Sequence, residues 1–253
     1  MSHQLAARFR WRVTTELVVA LFIVILVAGL LTGTLGLPVA YLPTASLTGT
    51  AFVLIVGICW FRAPDAQRPP DHHTLGAANR VTLIRGTLVC IAAAFVPFSH
   101  YAAQHAWVIA WISLIALIMD GIDGATARRT QSSSAFGARF DMELDAALML
   151  VLCALLVTQG KVGAWALAIG LMRYLFVVAG WLLPRLKAPL PASRLRKTVC
   201  VWQLVTLMVC LLPWISGALA SAFLGIALAL LVYSFGRDSL WLLTRRHSKE
   251  IAQ

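Results

Sequence analysis

Four aspartates, Asp120, Asp123, Asp141 and Asp145, stand within MDGIDGATARRTQSSSAFGARFDMELD, residues 119 to 145. On a helix, a spacing of three puts Asp120 and Asp123 on one face, and a spacing of four does the same for Asp141 and Asp145. The polar stretch from Thr130 to Gly137 reads as a turn, so two antiparallel helices would bring the pairs together. Carboxylates that face one another repel strongly at low dielectric, and uncompensated acids at membrane depth cost a few kcal/mol each, so something positive must hold them. Hard divalent cations such as Mg²⁺ or Mn²⁺ prefer oxygen ligands, and two such ions close together clamp both oxygens of a phosphoryl displacement. The competing account is that Arg128, Arg129 and Arg139 neutralise the acids at a solvated helix end. Gly121, Gly124 and Ala127, close to the first pair, either leave room for a ligand to approach the backbone or serve helix packing.

Two further segments carry polar groups that need a reason. Asn79, Thr82 and Arg85, in NRVTLIR, share a helical face, and by themselves fit a capped helix start with an arginine reaching the interface. Arg173 falls within a long apolar run, where a charge is costly unless it pairs or lines a polar cavity. It is expected to face the active-site cavity. Arg194, Arg196, Lys197 and Thr198, with Gln203 beyond them, form a basic stretch that suits either a phosphate on an acceptor or an ordinary positively charged loop.

The elements that must position these residues are membrane helices. Hydrophobic residues make up 60% of the chain and charged ones 12%, which excludes an ordinary soluble domain. A bilayer core needs about 20 apolar residues per helix. Eight such stretches run over residues 16–37, 43–61, 82–99, 105–122, 142–159, 162–183, 199–215 and 217–235. No strand alternation competes with them, so the reading is an all-α, polytopic integral membrane bundle of about eight transmembrane helices.

Arginine and lysine gather before the first stretch, after every second one and after the last, with Lys161 the clear exception. By the positive-inside rule both termini and the aspartates face the cytoplasm. Topology and contact with anionic headgroups thus account for the net charge of +11, and no nucleic-acid partner is expected. The first apolar stretch is longer than the core of a secretory signal and reads as a span. A linker at 64–73, with Pro64, Pro69 and Pro70, separates a two-helix extension at 1–63 from a catalytic membrane domain at 74–253. Gly29 and Gly33 suggest a helix-packing face in the extension. Cys59, Cys90, Cys153, Cys200 and Cys210 make no metal-like spacing and are expected to be buried, inert thiols.

Asp120, Asp123, Gly124, Ala127, Arg128, Gly137, Asp141 and Asp145 match in every position and spacing the pattern D-x-x-D-G-x-x-A-R, eight residues, G-x-x-x-D-x-x-x-D. The chain therefore resembles the CDP-alcohol phosphotransferases. The resemblance implies a six-helix catalytic core, usually paired as a homodimer, with two divalent ions. It implies that Asp120, Asp123 and Asp141 hold metal on the donor diphosphate, and that Gly124, Ala127 and Arg128 receive the cytidine nucleotide. Gly137 completes the pattern. Asp145 would be the general base toward the acceptor hydroxyl while helping to hold the second metal. Asn79, Thr82 and Arg85 would lie close to the donor phosphates.

The implied reaction moves a phosphatidyl group from CDP-diacylglycerol to a small polar alcohol, itself phosphorylated or not, and releases CMP. Transfer from CDP-choline or CDP-ethanolamine to diacylglycerol is the alternative. A divalent-cation transporter is a distant third reading, because a transport site belongs near the bilayer midplane and these acids gather at the cytoplasmic edge. A compact chain of this kind suits a bacterial inner membrane.

Overall fold

The computed structural model describes residues 2–68, 75–129, 134–182 and 194–250, with side chains in 11–64, 66–68, 75–122, 134–179, 181 and 198–237. Among these residues there are helices and turns and no strand. In chain order the helices are α1 (Ser2–Leu35), α2 (Tyr41–Arg62), α3 (Ala77–Ala93), a short α4 (Ser99–Gln104), α5 (Ala106–Arg129), α6 (Ala135–Thr158), α7 (Leu167–Leu182), α8 (Arg194–Leu211) and α9 (Gly217–Glu250). Trp11–Leu35, Tyr41–Arg62 and Gly217–Arg237 are long and apolar enough to cross a membrane. Ala106–Ile122, Ala164–Ala179 and Thr198–Leu211 are apolar but shorter. Large apolar side chains such as Phe22, Leu26, Leu30, Ile55 and Trp181 point outward, an exposure that hydrocarbon rather than water would satisfy.

Helix α3 is the hub, packing against α1, α2, α5 and α6, while α6 also meets α7 and α8. The main core joins α3, α5, α6, α8 and α9 through residues such as Ile91, Phe95, Ile109, Leu148, Leu207 and Leu224. A second, smaller core gathers Val13, Leu17 and Ala20 of α1, Val56 and Trp60 of α2, Leu75 and Leu83, and Phe136 and Phe140 of α6. The α1–α2 contact is built on Gly49, where an added Cβ would lie 3.1 Å from Val24. Gly29 and Gly33 do not form the packing face suggested by their spacing: both are exposed, and an added Cβ would meet nothing within 4 Å. The buried strip of α1 runs instead through Ala20, Val24 and Ala28.

Several helix ends differ from the apolar windows. Helix α5 continues to Arg129, so Asp120 and Asp123 lie one turn apart within one helix. Helix α6 starts at Ala135, because Ser134 caps it by accepting a hydrogen bond from the Gly137 amide at 3.0 Å. Residues Ala135 to Gly137 therefore belong to the helix and not to the preceding turn. The cysteines are free, but only Cys90, Cys153 and Cys210 are buried; Cys59 is exposed on the outward face of α2 and Cys200 is intermediate.

Lys161, the exception to the charge pattern, has a structural explanation. Its ammonium donates to the carbonyls of Cys210, Leu211 and Leu212 at 3.0, 2.9 and 2.6 Å. A cation there satisfies the exposed acceptors at the end of α8 and complements the helix dipole. Lys161→Met is expected to remove about 1 kcal/mol, lowering the melting midpoint in detergent by about 2–4 °C and leaving turnover unchanged. A thermal scan of the purified protein checks it.

Candidate active site

The aspartates come together because α5 and α6 both pack on α3, and Arg85 of α3 lies between them. Its Nη1 donates to Asp120 Oδ1 and to Asp141 Oδ1, each at 2.7 Å, and its Nη2 donates to Asp145 Oδ1. The guanidinium is buried, with a side-chain exposure of 1%, whereas the three carboxylates are 31%, 36% and 23% exposed. A planar fork of donors suits this arrangement, because one arginine reaches several carboxylates without strain in its own geometry.

Three carboxylates gathered on one guanidinium also make a donor set of the kind that takes a divalent cation. Carboxylate oxygens of Asp120, Asp141 and Asp145 all lie within 4.8 Å of one another. An all-oxygen, partly exposed donor set of this size fits Mg²⁺ or Mn²⁺ rather than a soft metal. The side chain of Asp123 lies outside the described residues, as do those of Gly124's neighbours Ala127 and Arg128; their backbone continues α5 toward its end.

The other expected site residues divide clearly. Asn79 and Thr82 are buried with Arg85 on one face of α3, at 4%, 3% and 1% exposure. Asn79 Nδ2 donates to the Leu75 carbonyl at 2.7 Å, and Thr82 Oγ1 donates to the Ala78 carbonyl at 3.1 Å. Gly137 has a visible packing reason: a Cβ there would stand 2.5 Å from Asn79 Oδ1, so glycine allows α6 to approach α3 just before the aspartates. Gly121 faces open space.

Arg173 is not among the aspartates. It forms an ion pair with Glu143, and its Nη1 lies 3.9 Å from Met142 Sδ. Glu143 is two residues from Asp141, and therefore on a different face of α6. The local counter-charge explains the placement: Arg173 reaches a nearer acid than the cluster. Arg139 is exposed, and the side chains of Arg194, Arg196 and Lys197 lie outside the described residues, at the start of α8. Gln203 is buried and donates to the Ala227 carbonyl at 3.3 Å, tying α8 to α9.

One neighbour of the cluster was not foreseen as such. Cys200 Sγ, on α8, lies 4.0 Å from Asp145 Oδ2, so α8 forms a wall of the site beside that carboxylate. Its sequence position in an apolar stretch gave no sign of this, because the contact spans 55 residues.

Comparison with known proteins agrees with the residue pattern. Residues 75–233, more than half of the chain, match the family model described as CDP-alcohol phosphatidyltransferase. No curated protein and no solved structure gave a match.

Proposed function

The chain belongs to the CDP-alcohol phosphatidyltransferase family, and from that membership we propose that it transfers a phosphatidyl group from CDP-diacylglycerol to the hydroxyl of a small polar alcohol, releasing CMP. The observation that carries the reading is the meeting of Asp120, Asp141 and Asp145 around one buried arginine. A partly exposed, electron-rich oxygen cluster of this kind suits a diphosphate held through metal, and it lies on the helices that bear the family's pattern.

In the proposed reaction the acceptor hydroxyl oxygen attacks the phosphorus nearest the diacylglycerol. An O–P bond forms, the bond from that phosphorus to the bridging oxygen breaks, and CMP leaves with the electron pair. Asp145 takes the hydroxyl proton. Asp120, Asp123 and Asp141 would hold Mg²⁺ or Mn²⁺ together with Asp145. When bound, the metal supplies neutralisation of the donor diphosphate and of the departing CMP. Arg85 adds a fixed positive charge at the base of the cluster. Asn79, Thr82, Gly124, Ala127 and Arg128 are assigned to the donor's phosphates and nucleotide.

The proposal also covers the assembly. The eight long helices are read as eight spans, with both termini and the aspartates on the cytoplasmic side of a bacterial inner membrane. Residues 74–253 form the catalytic domain, 64–73 the linker, and the domain pairs as a homodimer. Because Arg173 is engaged by Glu143, it gives no support to an anionic acceptor. The acceptor is therefore defined here by its hydroxyl and its size.

A panel assay tests the substrate assignment. Purified full-length protein is given CDP-diacylglycerol with a series of polar alcohols, and separately CDP-choline or CDP-ethanolamine with diacylglycerol, and the lipid product is identified by mass. Product from the first arm is expected. Product from the second arm alone would replace the proposed donor.

A further inference from the structure

We propose that Phe52 and Trp60, on the helix hairpin α1–α2 outside the matched family region, are positioning residues that set the aspartates of α6 against Arg85; this rests on the functional reading above. The hairpin ends before residue 75, where the family match begins. Nevertheless its helix α2 reaches α3 and α6, two of the three helices that carry the site.

Trp60 is fully buried, and its ring meets Phe136 edge-on at 4.8 Å. Phe52 stacks on Phe140 at 6.2 Å. Phe136 and Phe140 are four residues apart on the first turns of α6, and Phe140 immediately precedes Asp141. In a helix each residue advances the side-chain direction by about 100°, so the strip 141/145 stands about 140° around α6 from the strip 136/140, at a fixed angle to it. A grip on the first strip fixes the rotation of the second.

The same ring of Phe52 also fixes α3. A Cβ on Gly86 would stand 2.0 Å from Phe52 Cζ, so the ring lies directly on the α3 backbone beside Arg85. One side chain thereby touches the immediate neighbour of Arg85 and the immediate neighbour of Asp141. It spaces the helix that donates the hydrogen bonds from the helix that accepts two of them. The hairpin is held in place independently: Arg80 Nε donates to Glu16 Oε1 at 2.9 Å, and Tyr41 donates its hydroxyl to the Ile91 carbonyl at 2.9 Å.

Those separate attachments supply the control. Tyr41→Phe removes the hydrogen bond to the Ile91 carbonyl, about 9 Å along α3 from Arg85, without touching the aromatic grip on α6. Phe52→Ala and Trp60→Ala remove the grip, and Phe52→Leu and Trp60→Phe keep much of its bulk.

The experiment uses full-length protein in detergent and three readouts: Mn²⁺ binding followed by electron paramagnetic resonance, kcat and KM for CMP release, and the melting midpoint. Phe52→Ala and Trp60→Ala are expected to weaken Mn²⁺ binding and to lower kcat by about tenfold or more, with a smaller change in donor KM. Trp60→Phe is expected to recover most of both. Tyr41→Phe is expected to lower the midpoint while keeping wild-type Mn²⁺ affinity and kcat. Should the alanine variants fail to fold, Phe52→Leu, which loses the flat ring against Phe140 and Gly86, is expected to show a partial loss of Mn²⁺ binding and kcat where Tyr41→Phe shows none.

Wild-type Mn²⁺ affinity and kcat in folded Phe52→Ala and Trp60→Ala, or in Phe52→Leu where the alanine variants do not fold, would overturn the inference. So would equal losses in Tyr41→Phe at equal destabilisation. If the wild type itself releases no CMP, the functional reading fails, and the Mn²⁺ arm still decides the positioning role.

Discussion

Asp145→Asn is expected to lower kcat for CMP release by about 10²–10⁴, the range a positioned general base contributes, while cytidine nucleotide still binds. The substitution keeps the shape of the side chain and leaves Asp120 and Asp141 in place around Arg85. The amide oxygen can still accept from the Arg85 fork. What is lost is the capacity to take a proton from the acceptor hydroxyl, together with the negative charge Asp145 would lend to the second metal. Asp123→Asn, at a position assigned to metal on the donor, is expected to weaken both nucleotide binding and turnover. Equilibrium binding of a cytidine nucleotide, measured beside the steady-state rate, separates the two. Equal loss of binding in both variants would remove Asp145 from the role of base.

Arg85→Ala is expected to have the largest effect on stability, and the effect depends on metal. The guanidinium is buried and serves three carboxylates. Removing one partner of a buried ion pair costs about 3–5 kcal/mol, and the partial exposure of the acids places the cost here toward the lower part of that range. For a chain of this size the melting midpoint of metal-free protein falls by about 5–10 °C. Mg²⁺ or Mn²⁺ then raises the midpoint of Arg85→Ala more than that of the wild type, because the ion meets carboxylates that have lost the charge of Arg85. Arg85→Lys keeps the charge but loses the fork, and an intermediate midpoint is expected. Scans with chelator and with added metal check the whole series. An unchanged metal-free midpoint in Arg85→Ala would show that the ion pairs contribute nothing.

The helical class and the location of the aspartates were legible in the sequence for a simple reason. Apolar runs report where lipid or core surrounds a helix, and each of the eight runs overlaps a helix. The three-and-four spacing of the acids survives folding because it is local. Helix ends were less legible. Hydropathy falls at Asp120, but the hydrogen-bonded ladder of α5 does not stop there, and α3 starts at Ala77 although Asn79 and Thr82 are polar. Among the described residues, segments of α1, α2 and α9 are both long and apolar enough to cross a membrane, and those of α5, α7 and α8 are apolar but shorter.

The resemblance placed Arg85 close to the donor phosphates, but its contact with the acids was not legible from spacing. Arg85 is separated from Asp120, Asp141 and Asp145 by 35, 56 and 60 residues, and no local spacing announces such a partner. The nearer arginines, Arg128, Arg129 and Arg139, were the natural candidates by sequence distance. Arg173 erred in the opposite way: its rarity in an apolar run suggested the central cavity, whereas Glu143 offers it a partner on another face of α6. Nothing in the sequence marked Phe52 and Trp60, which are ordinary in an apolar helix. Their meaning comes from Gly86, Phe136 and Phe140, which only the folded chain places beside them.

The measurement that tests the central claim most directly is acceptor-dependent CMP release by the purified full-length protein. CDP-diacylglycerol is supplied with Mg²⁺ or Mn²⁺, with and without a polar alcohol, beside Asp145→Asn. The account predicts CMP that depends on metal and on the alcohol, and its disappearance in the variant. Failure of the wild-type protein to bind any cytidine nucleotide, or CMP release that Asp145→Asn leaves intact, would contradict it.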